Sequence, residues 1–144
     1  MYTQRVDFDD LQWQSRPFSG PRAYAQAKRI QVALMTEWAR RFAATTISFN
    51  AMHPGWADTP GLAESLPGFY RLMRPLPRTL DEGIDTLTWL ATSDDVVPPG
   101  GQLYLDRRPR PFDRATQTRL TAADRRELWG RISALAGFGP AARY

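Results

Sequence analysis

The sequence has no cysteine and one histidine among its 144 residues. Disulfides, thiolate metal sites and thiol catalysis are therefore excluded, and with no carboxylate at ligand spacing from His53 we expect no metal site. The chain has no apolar run of about 18 residues, so we expect no membrane span. Its amino terminus also shows neither the basic start nor the apolar stretch of a signal peptide, which makes a cytoplasmic protein the plain interpretation.

Lysine is almost absent as well. Of the 19 basic residues, Lys28 is the only lysine. A lysine ammonium is a compact charge on a flexible stem, whereas an arginine guanidinium is a planar fork, and a site that requires one rejects the other. The single lysine therefore indicates a specific chemical role rather than general positive charge.

Positive charge is concentrated near the carboxyl terminus. Residues 107–144 carry nine arginines against Asp113, Asp124 and Glu127. Such a region can meet nucleic acid or an anionic membrane, but no nucleic-acid-binding motif accompanies it, so we expect no nucleic-acid partner and a solvated surface instead. We interpret residues 111–144 as a basic extension that ends in an amphipathic helix capped by Thr121 and stopped by Gly137.

The longest predicted element is a helix over residues 21–43, whose first turn suits Pro21 because no donor is needed there. Tyr24 and Lys28 are one turn apart and therefore neighbours on its surface. They share a broad face with apolar side chains, whereas polar side chains fall on the other face. The first set is Ala27, Leu34, Met35, Trp38 and Phe42, and the second is Gln26, Arg29, Glu37 and Arg40.

Two strands are predicted, over residues 45–53 and 102–106. Between them, residues 62–76 are apolar but broken by prolines, which favours a short helix or a substrate flap. Thr79 then caps a second helix with Asp81 and Glu82 in its first turn, and the stripe of Ile84, Leu87, Leu90 and Ala91 should face a core. This alternation predicts an α/β fold with parallel strands, and a sheet that normally contains more than two.

Tyr24-Ala25-Gln26-Ala27-Lys28 resembles the Tyr-x-x-x-Lys signature of the short-chain dehydrogenase/reductase family. The following strand with Asn50 and His53, the turn from Pro54 to Thr59, the second helix and the second strand also resemble that family, over roughly residues 1–110. The resemblance implies the carboxyl-terminal half of a Rossmann-like, doubly wound parallel sheet without its amino-terminal βαβ dinucleotide-binding part.

The resemblance also implies a site. Tyr24 would exchange a proton with the substrate oxygen, and the Lys28 ammonium would lower the phenol pKa from its ordinary value near 10 while holding the ribose of NAD or NADP. Backbone at Pro54, Gly55 and Trp56 would approach the nicotinamide, and Thr59 would contact its carboxamide or the phosphates. The implied substrate is a small, lipophilic alcohol or carbonyl compound, and a homo-oligomer is plausible.

Three features of the family pattern are absent from the sequence. No glycine-rich phosphate turn occurs. The acidic or basic ribose selector after the second strand is also absent, so NAD and NADP cannot be distinguished. The position about 13 residues before the tyrosine, where the family has its catalytic serine, holds Leu11. One hypothesis is an NAD(P)-dependent oxidoreductase truncated at its start and inactive alone, with Met1 an internal methionine of a longer frame. The alternative is a non-catalytic half-domain that acts as an interaction module.

Overall fold

A computed structural model describes residues 2–56, 78–96 and 100–138. Helix α1 spans Gly20–Arg41, strand β1 Phe49–Met52, helix α2 Leu80–Thr92, strand β2 Gly100–Leu105, strand β3 Arg108–Arg110 and helix α3 Ala122–Leu135, with a 3₁₀ turn at Thr116–Thr118. The α/β class is confirmed. The predicted substrate flap at residues 62–76 lies outside the described residues.

The three described strands form one sheet in the order β1-β2-β3. β1 and β2 are parallel and are joined through α2, as the alternation predicted, with Ala51 opposite Leu103. The register shifts beside Asn50, whose side-chain oxygen accepts the backbone N–H of Gln102 at 3.2 Å and thereby replaces a ladder bond. A Cβ on Gly100 would lie 2.6 Å from the Phe49 carbonyl oxygen, so glycine is required at this close approach.

Strand β3 was not predicted, and it corrects the expectation of a purely parallel sheet. It pairs with β2 in the antiparallel direction through a two-residue hairpin tip, Asp106–Arg107. Both tip residues have φ of +55°, the left-handed conformation that such tips require. The sequence DRRPR contains arginine where glycine is the usual signal, and it also contains a proline. Local propensity therefore pointed away from a strand.

Both predicted helix caps are confirmed as capping boxes. Thr79 exchanges hydrogen bonds with Glu82 at the start of α2, and Thr121 does the same with Asp124 at the start of α3. Each box satisfies two backbone donors that the first turn of a helix leaves unpaired, and each is worth about 1 kcal/mol.

The prediction for the apolar stripe of α2 was wrong. Ile84 and Leu87 are 52% and 55% exposed, and it is Gly83 and Thr86 that are buried. Two contacts set this rotation. The Trp89 ring meets the Tyr104 ring edge-on at 5.5 Å, and the Thr86 hydroxyl accepts the backbone N–H of Arg107.

The core of the molecule joins its two ends to α1. Ile30 and Ala33 pack against Leu128 of α3, which is fully buried. Side chains around this cluster come from the first segment, from α1 and from the carboxyl-terminal region: Val6, Phe8, Leu11, Leu34, Leu120 and Ile132. Residues beyond 110 thus contribute to the core, and the domain division at residue 110 stays a prediction.

Candidate active-site edge

Helix α1 places Tyr24 and Lys28 side by side on its surface. The Lys28 Nζ atom lies 5.5 Å from the centre of the Tyr24 ring and donates a hydrogen bond to Gln31 Oε1 at 3.2 Å. Tyr24 is 67% exposed. The helical spacing therefore brings a phenol and an ammonium together, as predicted, on a surface that is open to solvent.

The Pro54–Trp56 turn follows β1 directly. The backbone N–H of His53 donates to the Tyr104 carbonyl at 2.8 Å, which extends the pairing of β1 with β2 by one residue. The Gly55 N–H then donates to His53 Nδ1 at 2.8 Å, so the histidine ring closes the turn and His53 has a structural role. Because Nδ1 accepts this bond, the bond requires neutral imidazole with its proton on Nε2.

Gly55 has φ of +76°, which is strained for any residue with a side chain. A Cβ built on Gly55 would lie 2.8 Å from the Nε atom of Arg78. The turn therefore has no side chain on the side where Arg78 packs. The Arg78 guanidinium can approach the backbone this closely only because residue 55 is glycine.

Electrostatics connects the turn with α1. Desolvation lowers the pKa of His53 below its usual 6.5, and the positive charges of Arg78 and Lys28 lower it further. The Lys28 ammonium is thus among the charges that act on His53. We take Tyr24 and Lys28 on α1, together with the Pro54–Gly55 backbone, as the candidate active-site edge.

Sequence reasoning missed two residues of this edge, Arg78 and Asp106. The Arg78 N–H donates to the Trp56 carbonyl at 2.8 Å, and Arg78 Nη2 donates to Asp106 Oδ2 at 3.0 Å. These partners are separated by 22 and 28 residues in the chain. No local pattern signals the contacts, because the fold of α2 and the hairpin brings them together. Thr59, which was predicted to belong to the site, lies outside the described residues.

A small cavity lies elsewhere, against the buried side of α1. Its volume is about 30 Å³, and Arg29, Ala33 and Asp113 are among the residues that line it. This is space for about one water molecule, too small for a dinucleotide or an organic substrate. The candidate site is the exposed edge and not this cavity.

Neither a metal site nor a membrane-spanning helix is found in the described part of the chain. Within residues 2–56, 78–96 and 100–138, no three histidine, cysteine or acidic side chains are grouped as a metal site requires. Across the same ranges, no helix combines the length and apolar character needed to cross a bilayer.

Comparison with known proteins identifies the family. The human protein dehydrogenase/reductase SDR family member 12 is 43% identical over 110 residues, which are 76% of this chain and 34% of that protein. Human dehydrogenase/reductase SDR family member 13 is 30% identical over 145 residues, 94% of this chain and 37% of that protein. Human retinol dehydrogenase 13 is 28% identical over 142 residues, 92% of this chain and 41% of that protein.

The chain belongs to the short-chain dehydrogenase/reductase family, which confirms the resemblance carried by Tyr24, Lys28 and the Pro-Gly turn. It spans about a third of the length of the human and bovine proteins named dehydrogenase/reductase SDR family member 12. No family model matches the chain. No solved structure matches it either.

Proposed function

We propose that this chain carries the proton-transfer and ribose-holding part of an NAD(P)-dependent oxidoreductase that acts on a small, lipophilic alcohol or carbonyl compound. The proposal extends the general oxidoreductase character of the family to particular residues. The observation that carries it is the pairing of the Tyr24 ring with the Lys28 ammonium on α1, at 5.5 Å.

The residues at this edge fit a nicotinamide nucleoside. NAD or NADP would supply the hydride donor or acceptor when bound. Lys28 offers three donors on a flexible stem, which suits ribose hydroxyls. Pro54, Gly55, Trp56 and Thr59 remain the predicted contacts on the nicotinamide side.

In the proposed reaction, Tyr24 gives a proton to a carbonyl oxygen as it is reduced, or takes one from an alcohol as it is oxidised. A phenol with its ordinary pKa near 10 is a poor base at neutral pH. An ammonium within a few ångströms stabilises the phenolate and lowers that pKa. We propose that Lys28, one helical turn from Tyr24, has this role when substrate is bound.

We also propose that the 144 residues are inactive alone. The sequence contains no glycine-rich phosphate turn and has Leu11 at the serine position. The full chain should then show no saturable binding of NADH or NADPH by fluorescence or calorimetry. Tight one-to-one binding would overturn this part of the proposal.

The residue roles can be tested in a chimera. The 144 residues would replace the matching part of human dehydrogenase/reductase SDR family member 12, and NAD(P)H oxidation would be measured with a panel of aldehydes and ketones. Tyr24→Phe should lower kcat/KM by about a thousandfold, the usual contribution of a positioned general acid. Lys28→Met should move the alkaline limit of the pH–rate profile to higher pH, because carbonyl reduction requires a protonated Tyr24, whereas Arg22→Ala, on an exposed part of the same helix, should leave the rate within about twofold.

If the Tyr24→Phe chimera keeps the parental rate, the proton-transfer role is wrong. The non-catalytic interaction module stays second, because the relatives are dehydrogenases and reductases. The cytoplasmic location and the homo-oligomer predicted from the sequence are part of the proposal.

A further inference from the structure

The hairpin tip between β2 and β3 is held in an unfavourable backbone conformation. Asp106 and Arg107 both have φ of +55°, a region that asparagine, aspartate and glycine tolerate and that arginine avoids. Such strain persists only where the surrounding structure fixes it, and it collects near functional sites. The ion pairs of the two side chains show which parts of the molecule the tip contacts.

The two side chains make different ion pairs. Arg107 pairs with Asp85 of α2, and its backbone N–H donates to Thr86 Oγ1 at 3.1 Å. Those contacts join the tip to α2. Asp106 pairs with Arg78 through both carboxylate oxygens, and Arg107 pairs with Asp85 in the same bidentate way, which constrains direction as well as distance.

Arg78 in turn holds the Pro54–Gly55 turn from two sides. Its backbone N–H donates to the Trp56 carbonyl at 2.8 Å. Its side chain lies under Gly55, where a Cβ would come within 2.8 Å of Nε and 2.9 Å of Cζ. The guanidinium is therefore clamped between the bare backbone of the turn and the Asp106 carboxylate.

We propose that Arg78 and Asp106 are positioning residues that set the Pro54–Gly55 backbone at the edge proposed to receive the nicotinamide. The inference rests on the proposed function, because it is there that the turn receives the nicotinamide. The geometry rests only on the contacts of Arg78 with Asp106 and with the turn. Asp106 stabilises the Arg78 fork, and the fork supports the turn. The left-handed conformation of the tip, which a two-residue hairpin requires, leaves the Asp106 carboxylate against Arg78.

The experiment uses the ¹⁵N-labelled full chain and follows hydrogen exchange of the Gly55 amide by NMR. Asp106→Asn keeps a residue that tolerates positive φ but removes the charge, and Arg78→Lys keeps the charge but removes the fork. Each should speed Gly55 exchange by about tenfold. Asp85→Asn is the matched control, since it breaks the other ion pair of the tip with the same charge change and should leave Gly55 exchange within about twofold.

A second readout separates positioning from general loosening. The charge of Arg78 helps to lower the pKa of His53. Arg78→Met should therefore raise that pKa, whereas Arg78→Lys should keep it low even while Gly55 exchange speeds up. If the two substitutions only loosened the chain, the pKa of His53 would be the same in Arg78→Met and Arg78→Lys.

If a substitution prevents folding, the wild-type chain still provides the test. Sodium chloride at about 1 M screens an exposed ion pair and should speed Gly55 exchange in the wild-type chain and in Asp85→Asn, but not in Asp106→Asn. Unchanged Gly55 exchange in Asp106→Asn and Arg78→Lys, or no salt effect in the wild type, would overturn the inference. None of these readouts uses a dinucleotide, so failure here is distinct from failure of the Tyr24→Phe test.

Discussion

The two sides of α1 bury different kinds of side chain. The side turned toward the first segment and α3 buries Gln26, Arg29 and Glu37, which are 1%, 5% and 2% exposed. The side with Tyr24 and Lys28 is open to solvent near the start of the helix, but further along it buries Met35 and Ala39, which are each 5% exposed. Hydropathy alone predicts burial only for this second side.

Each buried polar side chain has partners fixed by the fold. Gln26 Oε1 accepts the Asp7 N–H and an Arg16 donor, and Gln26 Nε2 donates to the Leu11 carbonyl. Glu37 is bonded by Arg40 and Arg41, and the Arg40 hydrogen bond is the main reason that its pKa is lowered. Burial of a polar group is tolerated when its hydrogen bonds are made, and these are.

Arg29 makes the longest-range contacts of this buried side. It pairs with Asp113 and donates to the Phe112 carbonyl at 3.0 Å and to the Thr118 carbonyl. These contacts join α1 to residues more than 80 positions away, in the region expected to be a solvated basic extension. The polar side of α1 therefore holds the carboxyl-terminal region, whereas Tyr24 and Lys28 are exposed near the start of the helix.

The strongest test of this contrast compares two adjacent residues, Arg29 and Lys28. Arg29→Ala should lower the free energy of unfolding by about 4 kcal/mol, because it leaves a carboxylate and two carbonyls without their donor. Lys28→Ala should change it by less than about 0.5 kcal/mol, since its ammonium is exposed. Urea unfolding followed by circular dichroism measures both, and equal effects would contradict the assignment of the two sides.

A second test asks whether α3 completes the buried side. Leu128→Ala removes a fully buried side chain that packs on Ile30 and Ala33, and should cost about 3 kcal/mol. Leu135→Ala, at a 53% exposed position on the same helix, is the matched control and should cost little. A small loss for Leu128→Ala would mean that α3 does not contribute to the core.

The smallest predicted effect concerns pH at the exposed edge. Because the pKa of His53 is lower in the folded chain than its unfolded value of 6.5, the folded state disfavours the proton. Stability should therefore be complete above about pH 6.5 and fall as the pH drops below it. His53→Asn offers an oxygen acceptor to the Gly55 N–H without titrating, so its thermal unfolding should lose that part of the pH dependence. An identical pH profile in the two proteins would show that His53 is not responsible.

Local pattern predicted much of this molecule. The start of α1 at Pro21, the caps Thr79 and Thr121, and the two parallel strands were all predicted from neighbouring residues, because caps, turns and periodicity act over a few positions. The Tyr24–Lys28 pair followed in the same way, since four residues span one helical turn. The Pro-Gly turn was visible as a motif.

What the sequence by itself determined is therefore the family, the α/β class and the residues that carry the proposed chemistry. Three features depend on contacts between distant residues: the burial of the polar side of α1, the exposure of the apolar stripe of α2, and the support of the turn by Asp106 and Arg78. A hydropathy scale describes only the transfer of a side chain from water to an apolar environment. Arg29 and Gln26 are buried because they form hydrogen bonds with backbone groups that are distant in the chain. Those partners exist only once residues far apart in the chain have been brought together.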